Sequence, residues 1–413
     1  MFIIIKMWKN NVLNNKLFNI FKKMSGYFNY PIEKFSSKET PFYYYDENLL
    51  RDTLQSLKNE IKERPFVVYY AIKANHNIKL LKIIKEYGIG VDTVSGGEIK
   101  CALEAWFPSE KIVFAGVGKT EKEINYAIDN NIYCFNVESV PELESINEIA
   151  KNKKKIVNIA FRINPNIDAH THKYITTGVN DNKFGIYLQD IDNIINDVLN
   201  DKEKYSNVKF IGIHFHIGSQ ILDVNNFKPL VNLINEMQEK FKEKKIELTY
   251  IDVGGGLGID YDTPEKNPIP NFKEYFELYS KINLLPNQKI HFELGRSIIC
   301  QCGSMISKVT YIKKSPNKNF AIMDAGMTDL IRPALYQAIH QIRNLNNLNG
   351  EKEKYDVVGP ICESSDVFIQ DYFMGKAKKG DYFAFLSAGA YGESMAFMYN
   401  ARELIKGYLS SEF

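Results

Sequence analysis

The sequence predicts an α/β protein: a (β/α)8 TIM-type barrel followed by a second, β-rich domain of Greek-key-like β-barrel type. Three observations carry that expectation. Eight apolar, strand-like runs alternate with amphipathic helical stretches between residues 66 and 297, which is the pattern of a parallel sheet covered by helices on its outer face. No long linker or low-complexity block divides them, so they read as one unit. After residue 300 the texture changes to short β-rich runs with turns.

The eight runs are Val67 to Ala74, Gly90 to Ser95, Ile112 to Gly116, Tyr133 to Glu138, Val157 to Asn164, Phe210 to Gly218, Tyr250 to Gly254 and Lys289 to Gly295. Each is followed by polar or glycine residues, and stretches such as Asn77 to Tyr87 and Phe227 to Lys242 supply the helices between them. Eight repeats are what a (β/α)8 barrel requires. The later runs include Ser307 to Lys313, Phe320 to Asp324, Asp356 to Val358 and Asp381 to Leu386. The expected division is an extension over 1–24, a barrel over 46–300, and a β-rich domain formed by 25–45 with 301–413.

A chain of 413 residues exceeds one ordinary core, and a large barrel plus a smaller domain accommodates it. Apolar residues at 45% and charged residues at 25% fit a globular protein that buries a core and stays dissolved. The net charge of +2 is far from the basic excess of nucleic-acid binders, so no polyanion partner is expected. Five cysteines without CxxC pairs point away from structural zinc and toward a reducing, cytoplasmic compartment. No apolar run approaches the roughly 20 residues needed to span a bilayer. Lys6, Lys9, Lys16, Lys22 and Lys23 lie in a stretch with no acid before Glu33. Because it lacks the Arg and Ser of transit peptides, and Met24 offers an alternative start, it reads as a dispensable extension rather than a targeting signal.

In such barrels chemistry sits at the carboxyl ends of the strands. The polar residues there are Lys73, Ser95, Asn136, Arg162, His216, Ser219, the Gly254 to Gly258 loop, Glu293 and Arg296. Lys73 lies near the end of an apolar strand, where desolvation is expected to lower its pKa toward a reactive amine suited to Schiff-base formation; taken alone, it reads first as a lysine reaching solvent, and its neighbours carry the functional reading. Gly254-Gly255-Gly256-Leu257-Gly258 follows a strand and can bring backbone N–H groups to an anion. A dinucleotide fingerprint fails, because Ile259 occupies the position where the third glycine belongs. Arg296 offers a cationic fork to the same anion. Glu293 would be a costly buried carboxylate unless it meets a cation, either a protonated pyridine nitrogen or Arg296 itself. His214 and His216 share a face, but no further strand-end histidine completes a ligand set, so no metal is expected and His216 is read as a ring stacked on a flat cofactor. Cys362, beside Glu363 and Asp366, is either inert or a proton donor, provided its loop reaches a cleft.

Together, Tyr70-Ala71-Ile72-Lys73-Ala74-Asn75, His214 to Gln220, the glycine loop and Glu293-Leu294-Gly295-Arg296-Ser297 resemble the fold-type III, alanine-racemase-like decarboxylases of basic amino acids. Among these, His172 to Gly178 through Lys183-Phe184-Gly185, His216-Ile217-Gly218-Ser219-Gln220 and Met327 to Tyr336 are similar to the diaminopimelate decarboxylase family. The resemblance runs from about residue 40 to 402. It implies pyridoxal 5'-phosphate as cofactor and decarboxylation of meso-2,6-diaminopimelate to L-lysine, the last step of lysine biosynthesis. It further implies that Lys73 carries the cofactor, His216 stacks on its ring and Glu293 contacts its pyridine nitrogen. Gly254, Gly255, Gly256, Ser219, Gly295, Arg296 and Tyr391 would complete the cofactor site. Arg296, Arg332, Tyr336, Glu363 and Tyr391 would read the substrate, with Cys362 and Glu363 donated across a homodimer interface.

Leu294 departs from the proline the family usually shows there, and the chain leaves the family's usual ending after Tyr399-Asn400-Ala401-Arg402. Competing expectations are a decarboxylase of ornithine, arginine or carboxynorspermidine, against which Arg332 and Tyr336 argue; a non-catalytic relative, against which Lys73 and Cys362 argue; and a racemase on the same fold.

Overall fold

The computed structural model describes residues 27–167 and 182–413. The lysine-rich extension and the His172 to Gly178 motif therefore lie outside the described residues, as do His170 and residues 25 and 26. A first short strand, β1 (Phe42–Tyr45), belongs to a second sheet. The barrel follows as β2 (Phe66–Ala71), β3 (Gly90–Thr93), β4 (Ile112–Phe114), β5 (Cys134–Val137) and β6 (Val157–Asn164). After the two-residue β7 (Ile186–Tyr187) come β8 (Val208–His214), β9 (Tyr250–Asp252) and β10 (Lys289–Leu294). Eight of these pair in parallel in the order β2, β3, β4, β5, β6, β8, β9, β10, and β10 returns to β2, closing the cylinder. Each expected run overlaps one barrel strand, with β2 and β8 beginning one and two residues earlier than expected, and the predicted fold class is the one observed.

The joints between strand and helix are set by local chemistry. Ser95, Thr120 and Ser139 follow strand ends, and each accepts a hydrogen bond from a backbone N–H in the first turn of the next helix, satisfying donors the helix cannot pair internally. Ser95 is thus a cap, and its place among the strand-end polar residues reflects helix initiation rather than chemistry.

Inside the barrel, Tyr69, Cys134 and Tyr250 pack together, and the His291 ring lies 4.1 Å from that of Tyr250 and stacks on Tyr69. Two residues further along three of these strands come Asn136, Asp252 and Glu293, on the same inward face. Strand periodicity alone therefore places an aromatic plug beneath a ring of polar side chains.

The second sheet is mostly antiparallel: β11 (Gly303–Lys314), β12 (Asn319–Met323), β13 (Ile342–Asn344), β14 (Lys352–Val358), β15 (Val367–Gly375), β16 (Tyr382–Phe385) and β17 (Lys406–Leu409). Its path runs β13-β16-β11-β12-β14-β15, with β1 antiparallel to β11 and parallel to β17. The path ends approach each other through Tyr372 of β15, whose hydroxyl donates to Gln341 and accepts from the Ile342 N–H of β13. The four expected runs fall in β11, β12, β14 and β16, while β1, β13, β15 and β17 were not anticipated as strands. The chain's last segment pairs with its first described strand, so the unusual ending still closes an edge of this sheet. Among the described residues no helix is long and apolar enough to cross a membrane.

Candidate active site

At the carboxyl ends of the barrel strands lies a cavity of about 920 Å3 whose walls include Lys73, Arg162, His214, His216, Ser219, Gly256, Glu293, Gly295, Arg296, Arg332, Tyr336 and Tyr391. The structure thus gathers most of the residues singled out from sequence. Lys73 sits in a single turn of 3-10 helix, Ile72–Ala74, immediately after β2, so the strand stops three residues earlier than expected. Its ammonium lies 3.5 Å from the Asp92 carboxylate of β3. Burial works against the charge, but Asp92 and Glu293 outweigh it and raise the lysine pKa above its ordinary value. The expected lowering is thereby corrected: desolvation is present, but two facing carboxylates reverse its sign.

Glu293 is 4% exposed. It accepts from Asn136 at 3.2 Å and pairs with His214 Nε2 at 3.2 Å. Burial alone would raise its pKa; His214 and Lys73 bring it down to about 2. Arg296 is not its partner. That guanidinium donates to Tyr261 Oη at 2.7 Å and to Ser219 Oγ at 3.0 Å, and lies 4.8 Å from the Tyr391 ring centroid. His216 is held neutral, its pKa pushed well down by burial and by the cations Lys73 and Arg162. His214, Asp252 and Glu293 bring ligand-type atoms within 4.8 Å of one another, a grouping not expected from sequence. Their carboxylates are already hydrogen-bonded, Asp252 accepting from Tyr250 Oη and the Gly254 N–H and Glu293 meeting His214 Nε2 and Asn136, while His214 Nδ1 has no partner among the described residues.

The glycine loop divides into two roles. A Cβ at Gly255 would stand 2.1 Å from the Glu293 carbonyl oxygen, and one at Gly254, where φ is +68°, would stand 2.4 Å from that of Phe215. These two glycines let neighbouring strand ends approach, and neither lines the cavity. Gly256, at φ +100°, does line it. The Leu294 side chain is buried in the core beside the barrel, and Glu293 still points inward.

Cys362 and Glu363 are not part of the cavity wall within one chain. Both are exposed; the Cys362 N–H donates to Asn400 Oδ1 and the Tyr399 hydroxyl to Glu363. Sequence reasoning missed Asp92, Tyr261 and His340. Asp92 had a readable signal, a carboxylate inside the apolar strand Gly90–Thr93. Tyr261 and His340 arrive from loops, and no spacing announced them.

Residues 48–300 match the family model described as the pyridoxal-binding domain of pyridoxal-dependent decarboxylases. A diaminopimelate decarboxylase of Bacteroides thetaiotaomicron is 56% identical over 391 residues, covering 94% of this chain and 100% of that protein. One of Aquifex aeolicus is 40% identical, covering 88% of this chain and 84% of its own. The crystal structure of diaminopimelate decarboxylase from Helicobacter pylori complexed with L-lysine superposes with a TM-score of 0.85 at 38% identity, covering 92% of this chain and 94% of that one. A lysine/ornithine decarboxylase from Vibrio vulnificus, at 20% identity and a TM-score of 0.78, shares the fold.

Proposed function

The chain belongs to the diaminopimelate decarboxylase family of pyridoxal-dependent decarboxylases, and on that premise we propose that it converts meso-2,6-diaminopimelate to L-lysine and CO2 with pyridoxal 5'-phosphate. The observation that carries the reading is the charge layout of the cavity: the Lys73 amine and the anionic Glu293 carboxylate, with Arg296 and Arg332 beside them.

The residues present fit the cofactor. Lys73 is a primary amine opening into the cavity. Glu293, held at about 2, is an anion suited to a protonated ring nitrogen. Arg296 Nε is buried without a hydrogen-bond partner among the described residues, and with Ser219 and Gly256 it offers donors to a phosphate. Neutral His216 presents a flat face. When bound, the cofactor supplies an electron-poor ring that accepts the charge left on carbon as CO2 departs. Gly254 and Gly255 support this site through packing, Gly295 and Tyr391 through its wall.

The carboxylate that leaves loses its charge, so a cation fixed on it would oppose the reaction. Arg332, and Arg296 where the phosphate leaves it free, instead suit the carboxylate that stays, with Tyr336 and Tyr391 beside them. Cys362 Sγ–H delivers the proton that replaces CO2, and Glu363 receives the substrate's distal ammonium. Because these two lie outside the cavity of their own chain, we infer a homodimer in which each copy lends that loop to the other. The barrel over 46–300 binds the cofactor, and 25–45 with 301–413 forms the β-rich domain. All five cysteines are free, which supports a cytoplasmic setting.

The test is lysine and CO2 formation from meso-diaminopimelate by purified protein with added cofactor. Lys73→Ala and Cys362→Ala should each be inactive or nearly so, and an equal mixture, allowed to exchange subunits, should regain about one quarter of wild-type activity, since half the dimers then hold one intact site. Turnover of ornithine as fast as diaminopimelate would overturn the substrate reading, and no recovery on mixing would overturn the shared site.

A further inference from the structure

Arg296 and Arg332 are held by a small frame, Tyr261 in the cavity wall and His340 outside it. Arg332 is 6% exposed. Its Nη1 lies 3.0 Å from His340 Nε2, and His340 Nδ1 lies 2.9 Å from the Leu386 carbonyl oxygen of the second sheet. A carbonyl can only accept, so Nδ1 carries the proton and Nε2 is left as the acceptor for the guanidinium. Tyr261 stands between the arginines: Arg332 lies 5.0 Å from its ring centroid, Arg296 bonds its hydroxyl, and the His340 ring meets it edge-on at 5.5 Å. The Nε atoms of both arginines are buried with no partner among the described residues.

We propose that His340 is a positioning residue for substrate specificity, holding Arg332 through Nε2 so that its remaining donors face the carboxylate the substrate keeps. This rests on the functional reading above and adds to it the residue that sets the angle of the receptor. A long guanidinium left without this bond has rotamer freedom to lose when it binds, so the frame lowers the cost of recognition and leaves the reacting carbon alone. Burial and the two arginines keep His340 uncharged, its pKa down at about 3, so the acceptor persists at every working pH. The expected signature is in KM rather than in kcat.

Two amides separate the roles of the two ring nitrogens. Asparagine at 340 reaches only as far as Nδ1 and keeps the Leu386 bond; glutamine reaches as far as Nε2 and keeps the Arg332 bond. His340→Asn is expected to raise KM for meso-diaminopimelate about tenfold, the loss of one hydrogen bond to a charged group. Its kcat, cofactor content and melting temperature should stay near those of wild type. His340→Gln should hold KM within about threefold of wild type. Equal KM values for the two variants would overturn the assignment, as would a joint fall of kcat, cofactor content and stability in both. A wild-type protein that makes no lysine would instead refute the functional reading, which the same assay reports separately.

Discussion

Replacing Glu293 with glutamine removes one negative charge from the cavity floor and little else. The carboxyl is buried, which alone would raise its pKa, yet His214 at 3.2 Å and Lys73 bring it down from an ordinary 4.5 to about 2. A shift of that size corresponds to ~3 kcal/mol of preference for the anion. A neutral amide forfeits that preference, and with it the interaction that would keep a ring nitrogen protonated. If all of it acts in the rate-limiting step, kcat falls on the order of 100-fold. The assay is CO2 release at saturating substrate, beside a direct measure of bound cofactor. A variant that retains full cofactor and a kcat within about threefold of wild type would refute the reasoning. Stability offers a second reading of the same charge. The folded pKa is depressed, so the contribution is present above pH 4.5 and is lost as pH falls toward 2. The stability difference between wild type and Glu293→Gln should therefore be largest near neutrality and close below pH 4.5.

Two further outcomes follow from packing and from buried rings. Gly255→Ala places a Cβ 2.1 Å from the Glu293 carbonyl oxygen, whereas Gly118→Ala meets nothing within 4 Å. The first should lose ~1–3 kcal/mol or more and the second almost nothing; equal melting temperatures would show that the strand ends yield more easily than the contact implies. His291 and His340 are buried and held neutral, with pKa values lowered from 6.5 to about 3. Below pH 6.5 the unfolded chain takes up protons that the folded chain refuses, so stability should drop by ~1.4 kcal/mol per pH unit for each ring. A denaturant midpoint that stays flat from pH 7 to pH 5 would contradict that account.

What the sequence made legible follows physical lines. The barrel strands were readable because each is buried on both faces and announces itself as a continuous apolar run. Lys73, Glu293 and Arg296 were readable because a charged residue at the end of such a run demands a reason. β13 and β17 have only three and four residues, too few for an alternation to register. The sign of the Lys73 shift was not readable, since it depends on Asp92 from the next strand, a contact made by sheet register and not by sequence proximity. Tyr261 and His340 escaped for a related reason: they act by holding other side chains, a relation that exists only once the chain has folded.

The loop that bears Cys362 and Glu363 argues for a second chain on grounds of order rather than of resemblance. The Asp366 carboxylate accepts from the Met327 N–H at 2.6 Å and from the Ile361 N–H at 2.7 Å, tying the loop to the segment that leads into Arg332. Asn400 fixes the Cys362 backbone and Tyr399 fixes the Glu363 carboxylate. A loop fastened at three points has already lost the conformational freedom that binding would otherwise cost. Cys362 and Glu363 are nevertheless exposed and absent from the cavity wall of their own chain. Two reactive groups fixed at the surface fit the proposed dimer, in which another copy of the chain would bring its cavity to them. In the proposed dimer, Asp366 would join the lent loop to the segment that leads into the chain's own Arg332, so the position of that loop and the position of Arg332 would be set together.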